Sequence, residues 1–354
     1  MIRARRSVVA TATAALALAS SMFATPAISA ADPAPAAPAE PAPTITVPDP
    51  VPLPTSADAP GSPLATLLST MGEGVEGAND LGCVPSPDHP RPVVLVHGTG
   101  TGMYPTWVYV APELARLGYC VYALNYGAAQ GYFDPERTVW GVSDIERSAV
   151  ELGTFVDAVR EHTGSEQVDL VGHSQGGVVS RQYLKFEGGT DATDPSRNRV
   201  RNLVMLGATN HGTTFNGLQQ LYTVLAVLGV TNGNDAVAEL LFRGSNLGAA
   251  GQQQLIGSRM LSNLNEGGDT LPGVTYTSIA TRHDQIVTPP ESSFLRPGPD
   301  AEVHNVWVQD GCPASPADHS TILVRPESLH LVKSALDPGY AAAHAVPCDL
   351  PENG

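Results

Sequence analysis

The sequence predicts an α/β fold: a mostly parallel sheet with helices packed on both of its faces. Two observations predict it. Between residues 92 and 309, short apolar β-forming runs alternate with stretches of helical spacing, the rhythm of strand–helix–strand units. Within that rhythm the apolar run 168–171 leads into Gly172-His173-Ser174-Gln175-Gly176, and residues 177–186 then read as a helix. A serine between glycines at a strand-to-helix turn sits where strained backbone lifts a hydroxyl clear of the sheet. The helix behind it aims free N–H groups and a positive dipole end at any charge that forms there.

Each element has its own reason. Residues 92–97 are apolar β-formers bracketed by Pro and Gly, hence a buried strand. Residues 106–117 have helical spacing, and 119–126 read as the next strand. Ser143 and Glu146 form a capping box, after which Ile145, Ala149, Leu152, Val156 and Val159 keep one face apolar until Gly164 stops the helix. Strands 200–206, 274–280 and 303–309 complete the series. Catalytic groups in such a fold belong at the carboxyl ends of the strands. Between about 212 and 270 the rhythm breaks. Leu218, Leu221, Val224, Leu225 and Leu228 make an apolar stripe, followed by a Gly/Asn-rich turn and Leu240-Leu241-Phe242. This is a cap-like helical insertion, which packs its apolar face onto the domain, shapes a pocket, or does both.

The ends differ in kind. Residues 1–30 carry a basic start (Arg3, Arg5, Arg6), an apolar stretch and a small-residue cleavage site ending at Ala30. That pattern is a secretory signal peptide rather than a membrane anchor, because the apolar run is short and Pro26 follows it. Residues 31–63 alternate Pro and Ala with few bulky side chains, an extended or disordered leader. Residues 64–354 suit one large domain. The signal holds three of the 19 basic residues and no acidic one, so its removal leaves 16 against 35 and moves the formal charge from −16 to −19. Such a surface argues against nucleic acid and against docking on anionic membranes, though not against apolar contact with lipid. No later segment reaches the length of a membrane span. The expectation is an exported, extracellular monomer, free or held at the cell wall.

Cys83, Cys120, Cys312 and Cys348 lie far apart with no metal-like spacing. In an exported chain an even number implies two disulfides in one of three connectivities. Cys83–Cys120 with Cys312–Cys348 is the favoured one, since each pair would staple one end of the domain.

A serine becomes a nucleophile at neutral pH only beside a general base, which itself needs an orienting acid. On this fold class the chain order is Ser, then Asp or Glu, then His. Asp284 stands just past the strand ending at residue 280, and His319 follows the 303–309 strand. The rivals fit less well: His283 adjoins the acid, His304 lies in a strand, His330 in a helix, and His211 is out of order. Asp310, Asp300 and Asp269 are the weaker acids. The developing oxyanion has one donor in the N–H of Gln175, the residue after the serine. A second comes from the loop His97-Gly98-Thr99-Gly100-Thr101-Gly102, where the Thr99 hydroxyl adds a side-chain donor. His97 itself reads as a brace for that loop.

These residues carry a resemblance. From Pro92 to about Leu336 the chain resembles secreted lipases of the α/β-hydrolase superfamily, including the fungal lipase B type. The likeness lies in Gly98-Thr99-Gly100, Ser174-Gln175-Gly176-Gly177, the Ala280-Thr281-Arg282-His283-Asp284-Gln285-Ile286-Val287 segment and Asp318-His319. It implies an α/β-hydrolase fold and cofactor-free hydrolysis of carboxylic esters, triacylglycerols above all, by Ser174, Asp284 and His319. It also implies oxyanion donors Thr99 and Gln175 and supports the two disulfide pairs. His173, where the fungal type has a bulkier residue, and the 212–270 insertion depart from it. A short-chain esterase, a polyesterase or a cell-envelope acyltransferase would use the same triad.

Overall fold

The structure, a computed structural model, describes residues 48–131, 134–227, 242 and 247–348. The signal peptide, the first part of the leader and Leu228, Leu240 and Leu241 of the insertion lie outside the described residues. Six strands form the main sheet: β1 (Val93–Val96), β2 (Val121–Leu124), β3 (Val168–His173), β4 (Val200–Leu206), β5 (Thr275–Ala280) and β6 (Glu302–Trp307). Their order is β6-β5-β4-β3-β1-β2, and every neighbouring pair is parallel. All side chains of β1, β2 and β3 are buried, as expected of parallel strands covered on both faces.

The covering helices are α1 (Pro63–Leu68), α2 (Met103–Trp107), α3 (Val110–Arg116), α4 (Ile145–Thr163), α5 (Gln175–Phe186), α6 (Leu218–Val227), α7 (Gly248–Gln253), α8 (Arg259–Asn265), α9 (Val308–Gly311) and α10 (Pro326–Leu336). The apolar face of α4 (Ile145, Ala149, Leu152, Val156, Val159) joins one core with the strands. Gly164 ends α4 in the left-handed conformation at φ 68°. Because β2 lies on one side of β1 and β3 on the other, the winding reverses between β1 and β3. A crevice therefore opens at the carboxyl ends of those two strands, where residues 97–102 and Ser174 lie.

The structure corrects several details. The 106–117 helix is two helices broken at Val108 and Tyr109. Pro112 has no N–H to give the Val108 carbonyl and its ring would crowd it, so a continuous helix is impossible there. Asp144, not Ser143, caps α4 by accepting from the Arg147 N–H at 3.0 Å. The Ser143 hydroxyl instead donates to the Ala128 carbonyl. The last part of the Pro/Ala leader is held on the domain: Val51–Pro52 pairs with Glu73–Gly74, and Leu53 packs against the core. Leu53 is one of the few bulky residues in that stretch, which is why composition hid the contact.

Cys83 pairs with Cys120 and Cys312 with Cys348, at Cα separations of 5.6 and 5.5 Å. Leu221 and Val224 of α6 are 48% and 54% exposed, so this part of the stripe is not packed down. Among the described residues no helix is long and apolar enough to cross a membrane.

Candidate active site

Ser174 follows β3 directly and caps α5 with φ 54° and ψ −123°, a backbone region that side-chain-bearing residues rarely occupy. The geometry depends on its neighbours. A Cβ on Gly176 would lie 2.0 Å from the Val96 carbonyl oxygen, and one on Gly172 would lie 2.7 Å from the backbone of residues 176 and 177. Strand and helix pass too closely for any side chain at either position. The Ser174 N–H bonds to the Leu206 carbonyl at 2.9 Å, which fixes the turn against β4.

Asp284 lies in the turn after β5, and His319 in the loop between α9 and α10. The structure brings them together: Asp284 Oδ2 is 2.8 Å from His319 Nδ1, both side chains being buried. Asp284 Oδ1 accepts from the N–H groups of Ile286 and Val287 at 2.9 and 2.7 Å. His319 is tied to His173, the residue before the serine, whose Nε2–H donates to the His319 carbonyl at 3.0 Å while the two rings lie 4.8 Å apart. Burial, and secondarily the neighbouring His319, pushes the His173 pKa down to about 3. A neutral ring therefore sits against His319.

The loop after β1 reaches the same point. A Cβ on Gly98 would lie 3.2 Å from Ser174 Cβ. The Gly100 N–H is spent on the Trp140 carbonyl at 3.0 Å, and the Tyr126 hydroxyl donates to the His97 carbonyl at 2.6 Å. His97 is fully buried, its Nδ1–H turned to the Gly98 carbonyl at 2.8 Å and its ring stacked 4.3 Å from Tyr126. Burial pushes its pKa down to about 4; it braces the loop. Gln175 is the first residue of α5, so its N–H has no acceptor within the helix. The Thr99 hydroxyl is engaged: it donates to Gln175 Oε1 at 2.6 Å.

The rivals are elsewhere. His283 and Asp300 are exposed, His304 pairs with Glu302, His330 contacts Tyr340 and Asp310 binds Arg282. His211 and Asp269 do pair, at 3.1 Å. Asp269 is shared with buried Arg181, however, and accepts from the Arg296 N–H, so the pair ties the end of the insertion to the core. Sequence reasoning missed Gln254, fully buried, whose Nε2 donates to Thr99 Oγ1 at 2.9 Å. It is one of three consecutive glutamines inside the insertion, and nothing in the sequence says which of them points inward.

Residues 90–309 match the family model described as Lipase (class 2). The chain belongs to the class 2 lipases. Its fold is that of the α/β-hydrolases. The structure is similar to lipase B of Aspergillus fumigatus, with a TM-score of 0.50 and 20% identity over 75% of this chain and 56% of that one. It is also similar to the mature lipase BlEst2 of Bacillus licheniformis, with a TM-score of 0.45 and 18% identity over 72% and 94% of the two chains. A 2-hydroxy-6-oxo-2,4-heptadienoate hydrolase of Pseudomonas putida is 33% identical over 123 residues, 33% of this chain and 37% of that protein. This class 2 lipase thus spans little more than a third of the length of that hydrolase and just over half of the fungal lipase.

Proposed function

We propose that the protein is an exported serine carboxylester hydrolase, a triacylglycerol lipase working through Ser174, His319 and Asp284. The observation that carries this reading is the 2.8 Å hydrogen bond between Asp284 and His319, with His319 tied to the residue that precedes a serine in elbow conformation at the head of α5. Ser174 Oγ attacks the ester carbonyl carbon as His319 Nε2 takes its proton. Asp284 holds the ring with its proton on Nδ1 and stabilises the imidazolium. His173 stays neutral beside it and adds no repelling charge. The oxyanion is met by the Gln175 N–H and by Thr99, at the positive end of α5. His319 then protonates the leaving alcohol, and water releases the acid from the acyl-enzyme.

Half-exposed Leu221 and Val224 on α6 support a cap that receives long acyl chains. The basic, apolar and small-residue pattern of residues 1–30 supports export, and the two disulfides suit an oxidising compartment.

Hydrolysis of 4-nitrophenyl esters from two to sixteen carbons tests the reading, with a serine-directed phosphonate and Ser174→Ala in parallel. Long-chain turnover lost under both treatments is the expected outcome. Activity confined to short esters would remove the lipase assignment and leave an esterase. Turnover that survives Ser174→Ala would overturn the mechanism. Protein recovered from the medium should begin close to residue 31.

A further inference from the structure

Gln254 closes α7 as its C-terminal cap and is fully buried. Its amide joins four groups. Nε2 faces the Ala250 carbonyl at 3.1 Å, Thr99 Oγ1 at 2.9 Å and Gln175 Oε1 at 3.4 Å, while Oε1 receives the Thr209 hydroxyl at 2.9 Å. The amide cannot be turned over. A carbonyl only accepts, so nitrogen must face Ala250, and with it Thr99. Thr99 Oγ1 therefore accepts from Gln254 and must send its one proton elsewhere, here to Gln175 Oε1 at 2.6 Å.

We propose that Gln254 is a positioning residue of the oxyanion site, fixing the Thr99 hydroxyl as a donor and covering Gln175 Oε1 when that donor turns to the oxyanion. A free threonine hydroxyl accepts as readily as it donates. With an amide N–H on its oxygen, its one proton is turned away from Gln254 and towards the site, and the chain of bonds polarises it further. When the Thr99 proton leaves Gln175, the buried Oε1 keeps only its long contact with the Gln254 amide. The Gln254 N–H not held by Ala250 is then shared between Thr99 Oγ1 and Gln175 Oε1, 2.9 and 3.4 Å from the nitrogen. The insertion thus takes part in transition-state stabilisation without touching substrate. This role rests on the reading of Thr99 as an oxyanion donor.

The test is a double-mutant cycle on Gln254→Ala and Thr99→Ala, with Gln254→Glu as a third variant and Ser174→Ala as control. Gln254→Ala should lower kcat about tenfold, the worth of one neutral hydrogen bond, and leave KM within about twofold. In the Thr99→Ala background the same change should alter kcat by less than about twofold. The Gln254→Glu carboxylate captures the Thr99 proton, so its activity relative to the parent should rise as pH falls and the carboxyl becomes a donor. Gln254→Met, of similar shape, replaces the alanine variant if that one does not fold. Equal losses in both Thr99 backgrounds, or an unchanged kcat, would overturn the role. If Ser174→Ala is inactive while the Gln254 variants match the parent, this inference alone falls. If Ser174→Ala keeps turnover, the reading of the whole site falls with it.

Discussion

Asp284 is where chemistry and stability separate on exchange of one atom. Its Oδ1 serves the Ile286 and Val287 N–H groups, and its Oδ2 faces His319 Nδ1. In Asp284→Asn the amide oxygen must take the Oδ1 place, because two backbone donors require an acceptor there. The amide nitrogen then faces His319 Nδ1, which can only accept from it. The ring proton moves to Nε2, and a ring protonated at Nε2 cannot take a proton from Ser174. The expected loss in kcat is about 10⁴-fold, about 5.5 kcal/mol at 1.36 kcal/mol per tenfold. Stability should hardly change, since the turn keeps its hydrogen bonds. Asp284→Ala offers the contrast, because it also strands the buried Val287 N–H at about 1–3 kcal/mol. Turnover of a long-chain ester and urea denaturation of both variants measure the two effects separately. An asparagine variant within tenfold of the parent, or one destabilised as much as the alanine variant, would refute this reasoning.

Other consequences follow from the same geometry. Gly176→Ala places a methyl 2.0 Å from the Val96 carbonyl oxygen; we expect a loss above about 4 kcal/mol, seen as failure to accumulate folded protein, and normal yield would contradict the packing. His97 and His173 have pKa values pushed down by burial to about 4 and about 3, against about 6.5 in the unfolded chain. Below pH 6.5 the unfolded chain therefore binds protons that the fold refuses. Their contribution to stability is full above that pH and falls as pH drops towards 4 and then 3, by up to about 2.7 kcal/mol per unit while both contribute. His97→Asn should lower the slope in urea titrations from pH 4.5 to 6.5 by up to about 1.4 kcal/mol per unit, and an unchanged slope would exclude His97 as a source. Replacing Cys83 and Cys120 by Ala opens a crosslink spanning 37 positions and should cost about 4 kcal/mol by chain entropy; denaturation of the double variant measures it.

The parallel strands were legible because strands buried on both faces must be continuous apolar runs, and Val93 to Val96 or Val168 to Val171 fit no other place. The elbow was legible because its glycines answer backbone crowding that exists at the level of five residues. Asp284 and His319 followed from chain order and from their place after strands, and the structure sets them 2.8 Å apart. What local pattern misread has local competitors: Ser143 and Asp144 are adjacent caps, and only the Ala128 carbonyl decides between them. The break at Val108 was readable from Pro112 but hidden by good spacing on both sides of it. Gln254 was beyond reach, because its role depends on contacts with Thr99, Gln175 and Thr209, none of them near it in the chain.

The insertion leaves the sheet after β4 and returns at β5, and these two strands are direct neighbours, in register from Asn202 against Thr275 to Leu206 against Ile279. Their pairing closes the scaffold whatever connects them. During descent the connecting segment can therefore be lengthened, trimmed or exchanged without re-registering a strand, and substrate range can drift faster than the machinery beneath it. Among the ties between the described part of the insertion and the domain, one reaches the loop after β1, the amide that Gln254 extends to Thr99. On the positioning role proposed for Gln254, a grafted segment lacking that amide would inherit a new pocket and a slower enzyme, and further selection would be needed to recover the lost rate.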